Sequence, residues 1–476
     1  MHVLLIDPPF FEEVALGKGG GSGMSLVQNV IPSLGLAYLA AVLEKDAHQV
    51  RIIDCSIGTG FEALRRMLEA EALKPDVVGI TATTPTVGSA RQVAEIVRAV
   101  FHDSLIVIGG VHVTCLPEDT LQGGCFDVGV LGEGEYAFLE LVQRYKSEGA
   151  ACFSEIKSLA YKNGSRVIVN QRRPLIQDLD DLPLPARHLL PPLTAYHPTP
   201  ASYMRLPVGV MMSSRGCPYH CSFCDRAVFG ASYRMRSVDR ILDEMEELIY
   251  TYGAREIRFF DDTITINKNK LFELVDRMKA RGIHVPWTAL SRVDAITPEV
   301  LQKLKEGGCW QLLIGVESGD DRMLRIMNKG VTVEQNSTAI RLMNKYKMGI
   351  RADFLLGVPG ETKETLQKTL DFALNHDLDY ACFNKFVPFP SLELTQDLEK
   401  KGFRFDLSEG SSILDIDSDN IFIPDTLEAS EYRHFLKTVH KKFYLRPSYI
   451  LKRLSRMRTF EQFMGQVKGF FAIRAD

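Results

Sequence analysis

Nowhere in these 476 residues do about 18 apolar residues follow one another without a charge, the length a membrane-spanning helix requires. The first residues, Met1-His-Val-Leu-Leu-Ile-Asp7, are apolar but too short to span a bilayer, and they carry no basic leader. A cytoplasmic location is the resulting expectation. Charge of one sign is also missing: 56 Lys and Arg against 60 Asp and Glu leave a net charge of −4, which gives no global case for nucleic-acid binding. Cysteine is scarce. Nine, an odd number spread over the whole chain, argue against a disulfide framework and fit thiols that stay reduced. Two nucleotide signatures are absent as well. Gly17-Lys-Gly-Gly-Gly-Ser-Gly23 lacks the Gly-Lys-Ser/Thr ending of a phosphate-binding loop, and the first strand-to-helix turn lacks the G-x-G-x-x-G that an NAD site needs. Gly17–Gly23 reads instead as a mobile loop over a site.

What is present is a soluble globular composition, 45% hydrophobic and 24% charged, in a chain too long for one core. Short apolar strands at Val3–Ile6, Val50–Asp54, Asp76–Thr81, Leu105–Ile108 and Val128–Leu131 alternate with helical stretches. The expected fold class is therefore α/β, with residues 1–150 forming a Rossmann-like doubly wound sheet that binds its ligand beyond the carboxyl ends of the strands. Those ends carry Asp7-Pro-Pro9, Thr81-Ala-Thr-Thr-Pro85, Gly109-Gly-Val-His112 and Gly132-Glu-Gly-Glu135. Small and turn-forming residues let a large flat ligand come close. Pro8, Thr83, Gly109, Gly110, His112, Gly132, Glu133 and Gly134 are the candidate contacts. His112 has the best position for a ligand, and a packing or hydrogen-bonding role fits a lone histidine equally.

Residues 151–204 read as a linker containing a hairpin around Asn163-Gly164, followed by proline-rich irregular chain. Residues 205–390 then show about six strand-helix units by pattern counting, a partial (β/α)6 TIM-type barrel whose active residues belong at the carboxyl ends of its strands. Asp262, Ser291-Arg292, Glu317 and Gly357-Val-Pro-Gly-Glu361 stand at such ends. Residues 391–476 read as a small helical domain that caps the open barrel. Its basic stretch Arg446–Arg453 fits a solvated helix face better than a nucleic-acid contact.

After the first barrel strand comes Ser213-Ser-Arg-Gly-Cys-Pro-Tyr-His-Cys-Ser-Phe-Cys-Asp225, with Cys217, Cys221 and Cys224 spaced C-x3-C-x2-C. Three thiolates suit a four-iron cluster that leaves one iron open, whereas structural zinc closes its shell with four ligands. His220 is the available fourth zinc ligand, but it adjoins Cys221 in a tight loop. The spacing, with Phe223 between the last two cysteines, resembles the signature of the radical S-adenosylmethionine (SAM) enzymes. Gly109-Gly-x-His-x-Thr, Pro117-Glu118, Gly132-Glu-Gly-Glu135 and Phe443-Tyr-Leu-Arg-Pro447 resemble motifs of its cobalamin-binding class, the class B methyltransferase type.

This resemblance implies a [4Fe-4S] cluster on the three cysteines and SAM held by Phe223, Asp262, Ser291, Arg292, Glu317, Gly357 and Gly360. It implies cobalamin over the N-terminal strand ends and an electron donor of flavodoxin or ferredoxin type. The Asp-x-His-x-x-Gly motif for a lower cobalt ligand is absent. The implied activity is methyl transfer to an unactivated sp3 carbon; a cobalamin-dependent cyclase or oxidase, or a non-catalytic cobalamin or iron-sulfur sensor, are the alternatives. A methylthiotransferase is disfavoured, because Cys55, Cys115, Cys125 and Cys152 lack the spacing of a second cluster. The substrate stays open between a protein or peptide residue such as glutamine, a lipid, a tetrapyrrole and an antibiotic precursor.

Overall fold

The apolar run Val3–Ile6 is buried on both faces, as the inner strand of a parallel sheet must be. In the computed structural model, which describes residues 1–10, 29–405, 415–418, 421–457 and 459–475, it forms strand β1 (His2–Asp7). The Gly17–Gly23 stretch lies outside the described residues. Strand β1 lies between β2 (Gln49–Asp54) and β3 (Val77–Thr81), and β4 (Leu105–Gly109) and β5 (Val128–Val130) continue the parallel order. Alternate residues feed two cores. Leu4 and Ile6 pack on the helix Val87–Val100 side, Val3 and Leu5 against helices Leu34–Lys45 and Glu135–Glu148.

The sequence assigns the hairpin to the linker after residue 150; the structure gives it to the first sheet. Strand β6 (Leu159–Asn163) pairs antiparallel with β5, and β7 (Arg166–Val169) follows it through Gly164, whose φ of +63° is the left-handed value the tight turn requires. Leu159 and Ala160 are apolar and fully buried, so this strand completes a core instead of merely connecting. The first unit is thus a seven-stranded sheet in the order β2-β1-β3-β4-β5-β6-β7.

The second unit begins with β8 (Val208–Met211), followed by a short antiparallel clip of β9 (Ser214–Arg215) with β10 (Arg234–Met235). Strands β11 (Glu256–Phe259), β12 (Trp287–Ser291), β13 (Cys309–Glu317), β14 (Gly349–Leu356) and β15 (Tyr380–Lys385) then join β8 in one parallel sheet, ordered β15-β14-β13-β12-β11-β8. β8 and β15 do not pair, so the barrel is open and leaves two strand edges. Both edges are covered by side chains. Arg187 Nη2 donates to Val210 O at 2.8 Å on β8. On β15 the Tyr444 hydroxyl accepts from Ala381 N at 3.1 Å and donates to Ala381 O at 2.8 Å, while His440 Nε2 accepts from Phe383 N at 3.4 Å. The helix Ala429–Tyr444 that carries these groups buries Tyr432, Leu436, Val439 and Phe443 against the barrel. Among the described residues no helix is long and apolar enough to cross a membrane.

Candidate active site

The cysteine loop is tied down at both ends. Where β8 ends, the hydroxyls of Ser213 and Ser214 donate to the buried carboxylate of Asp261, at 2.6 Å from Ser213, and Ser213 N donates to the same group at 3.1 Å. Burial pushes the Asp261 carboxyl up to about 6. The loop leaves through Arg215 and returns through Arg234 of the β9–β10 clip. Gly216 adopts φ +80°, and a Cβ there would lie 2.4 Å from Ser232 O, so the clip closes only on glycine. Further along, Ser222 donates from N to Met327 O and from Oγ to Ile326 O, each at 3.0 Å, and Asn328 Nδ2 donates to His220 O at 2.7 Å.

Cys221 is buried, Cys217 half-buried and Cys224 exposed. Burial, then Asp262 and the neighbouring Cys221, raise the half-buried Cys217 thiol. Thiols that disfavour one another's ionisation this way lie close together, and an electropositive group bound among them removes the penalty. Arg292 Nη1 donates to Cys221 Sγ at 3.6 Å. The ring Nδ1 of His220, the candidate zinc ligand, faces Arg226 Nη1 at 2.9 Å. Among the described residues no three His, Cys, Asp or Glu side chains converge on one metal-ion position. Three cysteine thiols on one short loop are a donor set that suits a four-iron cluster with one iron left open.

The strand ends beside this loop gather most of the residues singled out for SAM. Arg292 is held by Asp294 at 2.9 Å and Lys329 O at 2.7 Å, and its guanidinium lies 3.8 Å from the Tyr219 ring. Ser291 is buried and shares a 2.8 Å hydrogen bond with Thr265. Glu317 sits at a register shift of β13 with φ +63°, paired to Lys329 Nζ at 2.7 Å. The same ammonium lies 5.6 Å from the Phe223 ring, so Phe223, Lys329 and Glu317 form one group. Asp262 is exposed at the mouth. Gly357 and Gly360 have φ of +78° and +84°. A Cβ at 357 would lie 1.9 Å from the Tyr432 hydroxyl, so packing of the C-terminal helix already demands that glycine. Behind it the buried Glu361 accepts from Gly357 N at 3.0 Å and Thr365 Oγ1 at 2.7 Å, and burial pushes its carboxyl up to about 7. Asp261, Lys329 and Tyr219 were not singled out from the sequence, and Glu361 entered only as the last residue of the Gly357–Glu361 motif. Asp261 and Glu361 had a signal, each standing within or beside a strand-end motif; Lys329 and Tyr219 had none.

At the carboxyl ends of the first sheet lies an open cavity of about 180 Å³. Gly109, Gly110, Gly132, Glu133 and Gly134 line it from the first unit, and Met212, Arg215 and Phe229 line it from the barrel. A Cβ at Gly109 would meet nothing within 4 Å, which leaves open room for a large flat group. Gly110, at φ +102°, would place a Cβ 2.5 Å from Ala82 O. Glycine backbone and apolar side chains wall the cavity, a lining that suits the face of a flat macrocycle, and no histidine is among its lining residues. Pro8, Thr83 and His112 do not line it. Thr83 caps the turn to Thr86. His112 lies in the short helix Val111–Cys115, 1% exposed, with Nδ1 3.2 Å from Thr84 Oγ1, and burial lowers it to about 4.

Between cavity and cysteine loop stands a buried ion-pair network. Arg215 donates to Glu133 at 2.9 Å and to Glu135 at 2.6 Å, and Arg234 donates to both Glu133 oxygens at 2.9 and 2.8 Å. Ile176 N adds a bond to Glu133 at 2.8 Å. The Arg215 guanidinium lies 5.2 Å from the rings of both Tyr38 and Phe229. Glu133 lines the cavity, while arginines from the barrel occupy both its oxygens.

The B12 binding domain model matches residues 24–142 and the Radical SAM superfamily model matches residues 211–373. A protein of Pyrococcus horikoshii named uncharacterized methyltransferase PH0819 is 38% identical over 397 residues, 83% of this chain and 82% of its own. An anaerobic magnesium-protoporphyrin IX monomethyl ester cyclase of Cereibacter sphaeroides is 29% identical over 89% of this chain and 69% of its own. The fold is similar to the radical SAM methyltransferase TsrM of Kitasatospora setae with cobalamin and a [4Fe-4S] cluster bound: TM-score 0.73 and 17% identity, over 100% of this chain and 99% of that one.

Proposed function

The chain belongs to the radical SAM superfamily, among the members that carry a B12-binding domain, and from that membership we propose a cobalamin-dependent methyltransferase acting on an unactivated sp3 carbon. The observation that carries the reading is Arg215: it lines the glycine-walled cavity and stands two residues before Cys217, so the two cofactor sites share one wall. When bound, SAM on the cluster supplies a 5′-deoxyadenosyl radical that takes a hydrogen atom, and cobalamin supplies the methyl group.

The chain's own residues do the positioning. Cys217, Cys221 and Cys224 hold the cluster, and Arg292 keeps a positive charge against Cys221. Asp261 anchors the strand end from which the loop starts. Glu317, neutralised by Lys329, offers a carboxylate oxygen for SAM hydroxyls or its ammonium, with Phe223 covering the adenine. Gly109, Gly110 and Gly132–Gly134 let the corrin come close, and Tyr38 and Phe229 keep water from the wall between the sites. A flavodoxin- or ferredoxin-type donor supplies the electron.

The test is anaerobic turnover of reconstituted protein with cobalamin and methyl-labelled SAM, followed by product analysis. Methyl transfer requires S-adenosylhomocysteine and 5′-deoxyadenosine together, with label in the substrate. The similarity to the Cereibacter sphaeroides cyclase favours a second reading, radical chemistry without methyl transfer. Deoxyadenosine without S-adenosylhomocysteine would select it and exclude the first.

A further inference from the structure

A surface helix turns its apolar stripe to the core and its polar face to water. The helix Phe460–Ala475 does the reverse. Its inward face is Gln462, Gly465 and Gln466: Gln462 is buried, a Cβ at Gly465 would lie 3.0 Å from the Tyr203 hydroxyl, and Gln466 Nε2 donates to the Tyr380 hydroxyl at 2.8 Å. Its outward face carries Phe460, Phe463, Met464 and Phe471, all exposed, Phe460 at 74%. The preceding helix, Pro447–Arg456, adds Leu451 and Leu454, and its Arg453 Nη2 donates to the same Tyr380 hydroxyl at 2.6 Å, which ties both helices to one atom. Six of the twelve large apolar side chains exposed among the described residues lie on these two helices, so the exposure is concentrated in one place. A concentration of this kind marks an interaction surface.

What covers the face follows from its pattern. Phe460, Met464, Val467 and Phe471 repeat at spacings of four, three and four, the seam of a helix that packs along another helix. Read in reverse, the stripe matches itself. With two copies antiparallel, Phe460 of one stands opposite Phe471 of the other and Met464 opposite Val467, which is the condition a twofold contact has to meet. Glu461, 3.3 Å from Arg255 of its own chain, and the exposed Lys468 stand seven residues apart on one flank of the stripe. The antiparallel arrangement brings Glu461 of each copy towards Lys468 of the other, whereas a parallel one sets like charges together. The exposed parts of the six side chains amount to roughly 600 Å² per copy. Two copies therefore bury on the order of 1,200 Å², above the roughly 1,000 Å² that a specific interface needs. A lipid surface fits less well, because an interfacial helix presents a cationic polar face. Here Lys452, Arg453 and Arg456 are held by Asp377 and Asp379.

We propose that the helices Pro447–Arg456 and Phe460–Ala475 form the twofold interface of a homodimer, in which two copies of this chain pack back to back. Both helices sit at the amino ends of the barrel strands. Thr459 Oγ1 donates to Met204 O at 2.8 Å ahead of β8, Glu461 pairs with Arg255 ahead of β11, and Arg453 Nη1 donates to Asp379 at 2.8 Å ahead of β15. Asp262, Arg292 and Glu317 stand at the opposite ends, so the contact leaves both barrel mouths open. The inference stands on this surface alone and does not rest on the reaction proposed above.

The test is sedimentation velocity over a concentration series, on the full chain reconstituted with cluster and cobalamin. The wild type is expected at twice the single-chain mass at micromolar concentration. Met464→Glu sets a carboxylate from each copy into the apolar seam and is expected to raise the dissociation constant on the order of 100-fold. Lys468→Glu should raise it about fivefold, and Glu461→Lys combined with Lys468→Glu should restore it, a response that belongs to the antiparallel pairing. Met464 and Lys468 both face outward, so iron and cobalamin content should match the wild type, which separates a lost contact from a misfolded chain. The charge exchange decides alone if Met464→Glu fails to fold. A wild type of single-chain mass throughout the series overturns the proposal, and its co-sedimentation with phosphatidylglycerol vesicles would then name a lipid surface as the occupant. A dimer that Met464→Glu and Lys468→Glu both leave unchanged overturns it as well. Mass is the readout, so absence of methyl transfer and absence of the dimer are separate outcomes.

Discussion

Arg215 of the barrel meets Glu133, Glu135 and Tyr38 of the first unit, and its removal has a definite sign. Arg215→Met leaves Glu135 with no arginine and Glu133 with only Arg234, both inside protein. Breaking a buried pair from one side costs about 3–5 kcal/mol, so chemical denaturation should show a loss of that order. Glu361 makes the opposite kind of prediction. Its carboxyl is raised from 4.5 to about 7 by burial, so the folded state holds the proton more tightly than the unfolded chain. That contribution is complete below pH 4.5 and is lost as pH rises through about 7. Glu361→Gln keeps the acceptor for Gly357 N and cannot ionise. Relative to wild type it should gain roughly 1–3 kcal/mol between pH 5 and pH 8, read from urea midpoints at each pH. The cysteine triplet was legible in the sequence because its pattern is local, a matter of spacing along eight residues. The pairing of Arg215 with Glu133 spans 82 positions and was not. Nor was the fate of His112: a glycine pair before a histidine reads as a loop, and the short helix that buries it depends on its packing against Thr84.

At the scale of elements, the open barrel has two edges that backbone pairing leaves unserved, and a few side chains serve them. Tyr444→Phe would leave Ala381 N–H and C=O without their shared hydroxyl, at a cost of about 1–3 kcal/mol, detectable as a lower melting temperature with cluster content unchanged. The strands and helices themselves were readable to within a few residues, since the apolar runs of β1, β3 and β4 are buried on both sides and their patterns are strong. The β9–β10 clip escaped notice. Two residues per strand carry no periodicity, and its cause is the glycine at 216 and the need to bring Arg215 back to Arg234. The hairpin was recognised from Asn163-Gly164 but placed with the linker, because a turn signal says nothing about which sheet receives its strands.

For the whole molecule, the order of units was written in alternation patterns: doubly wound sheet, open barrel, helical cap. What the pattern could not convey is how the units meet. The residues read as ligand contacts in Gly132-Glu-Gly-Glu135 serve two ends at once, glycines facing the cavity and acids reaching into the barrel. The consequence concerns interchange. A hybrid that joins this N-terminal unit to another barrel acquires two buried acids and loses the bases that answer them, and the reciprocal hybrid has stranded arginines. Neither unit is portable by itself. Over descent the two have to be inherited and to drift as one piece, whatever substrate the barrel comes to accept.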